Sequence, residues 1–264
     1  MAGAERRTHY GAMSELSRRH AEGFEGAGAD LTRFEFSVSS QNGEDGVIAE
    51  ILRRIHPARH EFVEFGIGRG TEGNCVFLAD VLGWSGLFME GDPDAANALR
   101  WKYRGNPRIR TAHAHVTAEN LDGLLREHGV SSEPDIVSID IDGNDIWVWR
   151  ALESARPRLV IIEYNAQLDL DSTLAQPYDA AWVWSGTDWF GASLGALEHV
   201  GREKGYRLVH TELSGVNAFF VRDDLADHFT DIVAPPRRSQ NYEGSGYGHP
   251  PHAGGGVYVD LREG

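Results

Sequence analysis

The stretch His60-Glu-Phe-Val-Glu-Phe-Gly-Ile-Gly-Arg-Gly70 is an apolar run that carries acidic Glu64 two residues before glycines at positions 66, 68 and 70. It reads as a buried strand delivered into a turn too tight for side chains. Glycine reaches φ > 0 at little cost and lets backbone come close to a ligand. Further on, Ser85-Gly-Leu-Phe-Met-Glu90 is a second apolar run that ends in an acid. A glycine loop after one strand and a carboxylate after the next is how an open α/β sheet binds a nucleoside, with the acid accepting from ribose hydroxyls.

Glycine spacing decides which nucleoside is expected. The dinucleotide fingerprint G-x-G-x-x-G would need a third glycine where this chain has Thr71. The observed E-x-G-x-G-x-G resembles motif I of class I S-adenosylmethionine (SAM) methyltransferases. SAM has no pyrophosphate, so the resemblance implies a loop that clears room for a methionine moiety and a ribose.

The rest of the chain alternates in the same sense. A helix is expected from Gln41 to about Ile55, with Val47, Ile48, Ile51, Leu52 and Ile55 on one stripe. Apolar strands at 61–66, 86–90, 108–113, 135–140 and 158–163 are separated by helical patterns near 73–83, 94–103, 118–128 and 143–153. Nearly continuous apolar strands alternating with helices imply a parallel sheet covered on both faces. After a helix at about 191–204, the runs Tyr206–Thr211 and Val216–Val221 are joined only by Glu212-Leu-Ser-Gly215. So short a connection cannot be a crossover and makes the pair antiparallel. The expected fold is therefore α/β and Rossmann-like: a seven-stranded, mostly parallel sheet with its last strand antiparallel and helices on both faces. That is the class I methyltransferase sheet; a Rossmann dehydrogenase would offer a sixth parallel strand instead.

Composition bounds the function. At 264 residues the chain can hold one sizeable core with appendages. A hydrophobic share of 41% indicates a globular protein. No run is long and apolar enough for a membrane span, and the N-terminus lacks a signal-peptide core. The single cysteine, Cys75, excludes an internal disulfide and suits a reducing cytoplasm. A net charge of −15 argues against a nucleic-acid partner, whose binding rests on basic patches.

A second constellation is Asp135-Ile-Val-Ser-Ile-Asp-Ile-Asp-Gly-Asn-Asp145. Its strand ends at Asp140, and if the chain stays extended Asp140 and Asp142 face one cleft at the carboxyl edge, where ligands bind. The next strand, Leu159-Val-Ile-Ile-Glu163, ends in a further carboxylate followed by Asn165. Ile139–Asp145 with Trp149 resembles the D-V-E-G-x-E segment of FkbM-type methyltransferases, with Asp142 in place of the second acid. Ser40-Gln-Asn-Gly-Glu-Asp45 is similar to their Q-x-G-E-D segment, and Glu163 sits where they carry a strand-five glutamate. The likeness covers about residues 40–165. It implies SAM-dependent methyl transfer to a small-molecule acceptor, commonly the hydroxyl of a sugar or natural product. It further implies a cofactor site made of Gln41, Glu64, Gly66, Gly68, Gly70, Asn74, Glu90, His115, Val116 and Asp140.

Three roles stay open for the acids. Asp142, with Asp140 beside it, could be the general base. Asp140 or Asp142 with Glu163 and Asn165 could hold Mg²⁺, a hard ion that prefers oxygen ligands; catechol-type O-methyltransferases resemble this pattern. Asp142 and Asp145 could instead cap the following helix. Residues 1–38 are expected to form a helical appendage or lid, with a helix from Gly11 to Ala21. Residues 39–232 are expected to form the SAM-binding domain. Within it, the segment 165–190 is too long for an ordinary connection. It carries Tyr178, Trp182, Trp184, Trp189 and Phe190, and reads either as an acceptor lid or as a satellite core. The tail 233–264 is loop-like, and His249 and His252 lack a metal-ligand frame. Its Val257–Val259 segment is expected to form an edge strand or to pair with another subunit in a homodimer or higher oligomer. Two readings compete with methyl transfer: a nicotinamide-dependent oxidoreductase, and a SAM-fold protein doing non-methylating or non-catalytic work.

Overall fold

The computed structural model describes residues 31–232, 234–239 and 256–263. The expected helix Gly11–Ala21 and the histidines 249 and 252 lie outside these. Strands β1 (Glu61–Phe65), β2 (Ser85–Glu90), β3 (Ile109–His113), β4 (Ile136–Ile139) and β5 (Leu159–Glu163) alternate with helices α2 (Val76–Asp80), α3 (Pro93–Tyr103), α4 (Leu121–Glu127) and α5 (Asp145–Ala151). Helix α1 (Glu44–Ile55) precedes β1. A two-residue strand β6 (Leu174–Ala175), helix α6 (Leu194–Lys204), strands β7 (Tyr206–Thr211) and β8 (Asn217–Arg222), and a short β9 (Val259–Asp260) complete the chain.

The main sheet has the order β3-β2-β1-β4-β5-β8-β7. Strands β1 to β5 run parallel, and β8 is antiparallel to both β5 and β7. This is the seven-stranded, mostly parallel sheet with a reversed last strand expected from the sequence. Strand alternation divides the core in two. Val63, Met89, Val137 and Ile162 pack with α4, α5 and α6, including Trp149. Phe62, Phe88, Ile136 and Ile161 pack with α1, α2 and α3. The all-buried strands have no solvent face, as a sheet covered on both sides requires.

Reversal of β8 has a consequence for the edge. Its first residue, Asn217, pairs with Glu163, the last residue of β5. The beginning of β8 thus lies where the parallel strands end. The Val257–Val259 segment does not join the main sheet: Val259 pairs with Ala175 within the same chain. The reason is local, since β6 offers a free strand partner in the 165–190 insertion. Among the described residues no helix is long and apolar enough to cross a membrane.

Candidate active site

The glycine loop is shaped by contacts that permit no side chain at one position and leave space at another. Gly66 has φ +78°, and a Cβ there would lie 1.5 Å from the Asp140 carbonyl oxygen. This close approach lets β1 and β4 end side by side. At Gly68 (φ +58°) a Cβ would meet nothing within 4 Å; it would enter the cleft above the sheet edge. At Gly70 a Cβ would strike Leu99 of α3 at 2.5 Å, so this glycine serves helix packing.

Two connected cavities occupy the edge and share Gly66, Gly68 and Asp140 on their walls. One, about 330 Å³, is lined by Gln41, Glu44, Glu64, Arg69, Asn74 and Asn217 among others. The second, about 630 Å³, takes in Glu90, His115, Val116, Asp142, Trp182 and Trp184. Apart from Gly70, Glu163 and Asn165, each residue expected at the site lines one or both.

Glu90 holds the loop as well as facing the cleft. One oxygen accepts the Gly68 amide at 2.6 Å, and the other the Asp92 amide at 2.7 Å. Each carboxylate oxygen keeps a further lone pair for a ligand. Glu64 accepts the amides of Asn74 (2.7 Å) and Cys75 (3.0 Å) at the start of α2. Burial pushes this carboxyl up to about 7, against the pull of those amides. Asn74 donates from its side chain to Ser138 at 3.0 Å. His115 contacts the Ala180 carbonyl through Nε2 at 3.1 Å, tying the loop after β3 to the insertion.

The acids after β4 part company. Asp145 accepts the amides of Ile141 (2.8 Å) and Gly143 (2.7 Å), both ahead of α5, so it braces this turn rather than capping the helix's own amides. Burial raises its carboxyl to about 7. Asp142 does not continue an extended strand: its φ is +55°. This turn still brings it to the neighbours expected, since oxygens of Asp140, Asp142 and Glu163 lie within 4.8 Å of one another. Burial, and next the mutual repulsion of the acids, hold the Asp140 and Glu163 carboxyls well above their usual range. Asp142 is raised too, by desolvation first and by the Glu90 charge second. Glu163 has a buried oxygen without a hydrogen-bond partner.

Asn165 is turned away from these acids. Its amide nitrogen donates to the carbonyls of Asp188 (2.9 Å) and Phe190 (3.0 Å), and its oxygen accepts the Gln167 amide. Asp140, not Asn165, lies with Asp142 and Glu163. The insertion lies over the cleft: Trp182 donates to the Asp142 carbonyl at 2.9 Å, and Trp147 to that of Gln176 at 2.8 Å. Trp147 is therefore half-buried between α5 and the insertion, whereas Trp149 is fully in the core. Trp182 and Trp184 face the same cavity as Glu90 and His115. Glu44, Arg69, Asn217 and these two tryptophans are lining residues that sequence reading did not assign to the cofactor. The Q-x-G-E-D segment held a signal for Glu44 and the aromatic 165–190 segment for the tryptophans, whereas Arg69 and Asn217 had none.

No family model and no curated protein matches this chain. Among solved structures it is similar to the N-terminal domain of EvdMO1 with S-adenosylhomocysteine (SAH) bound, at 15% identity and TM-score 0.46, covering 82% of this chain and 94% of that one. It is also similar to Aeropyrum pernix fibrillarin in complex with SAM, at 13% identity and TM-score 0.41, over 62% and 66% of the two chains. For the CMeT domain of the citrinin polyketide synthase the values are 14% and 0.42, over 68% and 51%. Similarity at this level leaves function to the geometry of the site.

Proposed function

We propose that the double cavity binds SAM and that the chain is a methyltransferase acting on a hydroxyl of a small molecule, a sugar or natural product, in the manner of FkbM-type enzymes. The observation that carries this reading is the cradle at Gly66 and Gly68. One glycine is needed for backbone packing, whereas a Cβ on the other would project into open space between Glu64, Glu90 and Asp140. In this reading Glu90 accepts from the ribose hydroxyls, His115 and Val116 meet the adenine edge, and Gln41, Asn74 and the loop backbone hold the amino-acid arm. Residues 39–232 are the cofactor-binding domain, and 165–190 covers its entrance. When bound, SAM supplies an electrophilic methyl group on a sulfonium.

The chain's own contribution is positioning and proton removal. Reacting groups held in line and near contact gain most of the rate. Trp182 and Trp184 line that space, and Asp142, open to the cleft and with its affinity for a proton raised, takes the proton from the acceptor hydroxyl. A divalent cation fits the same acids: Asp140, Asp142 and Glu163 offer hard oxygens at one point, and the unpartnered oxygen of Glu163 lacks any donor. Such an ion would orient the acceptor oxygen and lower its affinity for a proton. Because these carboxyls hold protons at higher pH than usual, cation binding would release protons and tighten as pH rises.

Titration calorimetry with SAH, in Mg²⁺ and in EDTA, tests both parts. Micromolar binding supports the cofactor, and a shift with EDTA together with a Mg²⁺-binding heat that varies with the buffer's ionisation enthalpy, as proton release requires, supports the ion. Absence of SAH binding in either buffer, with protection by NADH in a melting assay, would transfer the site to nicotinamide chemistry. Asp142→Asn is expected to lower kcat by roughly 10²–10⁴-fold, as loss of a general base does, with SAH affinity kept. Unchanged kcat at saturating substrates would remove Asp142 from the reaction as base and as ion ligand.

A further inference from the structure

We infer that Glu44 and Asn217, which neither the glycine motif nor the acid cluster includes, form the subsite for a primary ammonium group, the α-amino end of the methionine arm; this rests on the SAM reading above. Glu44 opens α1 and Asn217 opens β8, 173 residues apart, yet they meet at the sheet edge. Both are buried, at 0% and 3% exposure, and both line the smaller cavity.

Their hydrogen bonds settle how the amide points. Glu44 takes the Asn217 side-chain nitrogen at 2.9 Å on one oxygen and the Asn42 backbone amide at 2.7 Å on the other. A carboxylate only accepts, so the nitrogen of Asn217 must face Glu44 and its oxygen must face away. That oxygen is buried and has no partner. A buried acceptor left alone costs free energy until a donor reaches it. The wall of this cavity sets Glu44 and Asn217 beside Glu64 and Asp140.

A neutral donor such as a hydroxyl would satisfy the amide oxygen but leave the carboxylate's charge unanswered. An ammonium brings three donors and a positive charge, and can bridge the Asn217 oxygen and the Glu44 carboxylate together. Arg69 lies on the same wall and gives the opposite charge that an amino acid's carboxylate would need. The cavity thus carries groups for both charges of a zwitterion. Local sequence could not announce this pairing, because it depends on the reversal of β8.

Three ligands separate the parts of the reading by calorimetry: SAH, its des-amino analogue bearing a thiobutyrate arm, and 5′-methylthioadenosine, which lacks the arm. The wild-type chain is expected to bind SAH roughly 10- to 100-fold more tightly than the des-amino compound, the range of a charge-assisted hydrogen bond. Glu44→Gln should weaken SAH about tenfold while leaving the des-amino compound and methylthioadenosine unchanged; the unchanged ligands report an intact fold. Asn217→Ala should act in the same direction. Equal wild-type affinity for SAH and the des-amino compound would overturn the subsite, with no variant needed. Equal weakening of all three ligands by Glu44→Gln would also overturn it, marking Glu44 as structural. If wild type binds neither SAH nor methylthioadenosine, the SAM reading itself fails and the subsite falls with it.

Discussion

Gly66 and Gly68 are two residues apart and share a left-handed backbone, but they answer to different demands. At Gly66 any side chain collides with the Asp140 carbonyl. Gly66→Ala must therefore push β1 and β4 apart, and is expected to lower stability by more than the ~1–2 kcal/mol that a left-handed alanine costs alone. Gly68→Ala carries only that backbone cost, since its methyl group meets no protein atom. Its melting temperature should fall by a few degrees while SAH affinity falls at least about tenfold, because the methyl would occupy ligand space. If Gly68→Ala bound SAH as wild type does, the open space above Gly68 would not be the cofactor site. Glu90 adds a related expectation. Glu90→Gln keeps an oxygen for one loop amide but loses the charge and one acceptor. SAH binding should weaken roughly 10- to 100-fold, measured by calorimetry.

At the scale of elements, what the sequence shows depends on how local the cause is. Strands β1 to β5 and their helices were legible because a fully buried strand needs an unbroken apolar run and a covering helix needs a periodic stripe. The β7–β8 hairpin was legible because four residues cannot cross a sheet. The acids at strand ends could be placed near one edge on the same grounds. The bend at Asp142 and the turning of Asn165 toward the insertion were not legible, and for Trp182 the sequence left a lid and a satellite core both open. Asp145 braces the bend from close by, whereas the packing of the insertion depends on partners far along the chain, such as Tyr178 with Glu119, 59 residues away, and the Asn165 side chain near Tyr258, 93 residues on. Strand β9 belongs to this class. It pairs with β6, and Asp260 accepts from Thr173 at the foot of the insertion. Deleting residues 257–264 should therefore free the insertion and spare the main sheet. Limited proteolysis is expected to cut within 176–189 faster than in the full chain, with a melting temperature changed by only a few degrees. An insertion that stays protected after the deletion would show that its contacts at Trp147 and Asp142 suffice to hold it.

Over the whole molecule, the site concentrates buried acids in a chain that already carries a net charge of −15. Glu64, Asp145 and Glu212 are each held up to about 7, with burial the first cause in every case. Unfolded, these groups give up their protons near 4.5 for glutamate and 3.8 for aspartate. Below that range both states are protonated and the groups contribute no pH dependence. Between it and about 7 the folded chain retains protons that the unfolded chain has lost, so stability falls as pH rises, and it levels off above. Growing negative self-repulsion acts in the same direction. A tenfold difference in proton affinity between folded and unfolded chain corresponds to about 1.4 kcal/mol. Three such groups should therefore make a drop of at least ~2 kcal/mol between about pH 5 and pH 8, even after relaxation of the fold. Urea unfolding across that interval measures it, and a flat or rising stability would show that these acids are ionised in the folded state without penalty. The same titration run with Mg²⁺ tests the edge as a unit. A cation on Asp140, Asp142 and Glu163 would relieve the repulsion that raises them, so the loss of stability should shrink most at the alkaline end. An equal gain at all pH values would place the ion elsewhere on the acidic surface.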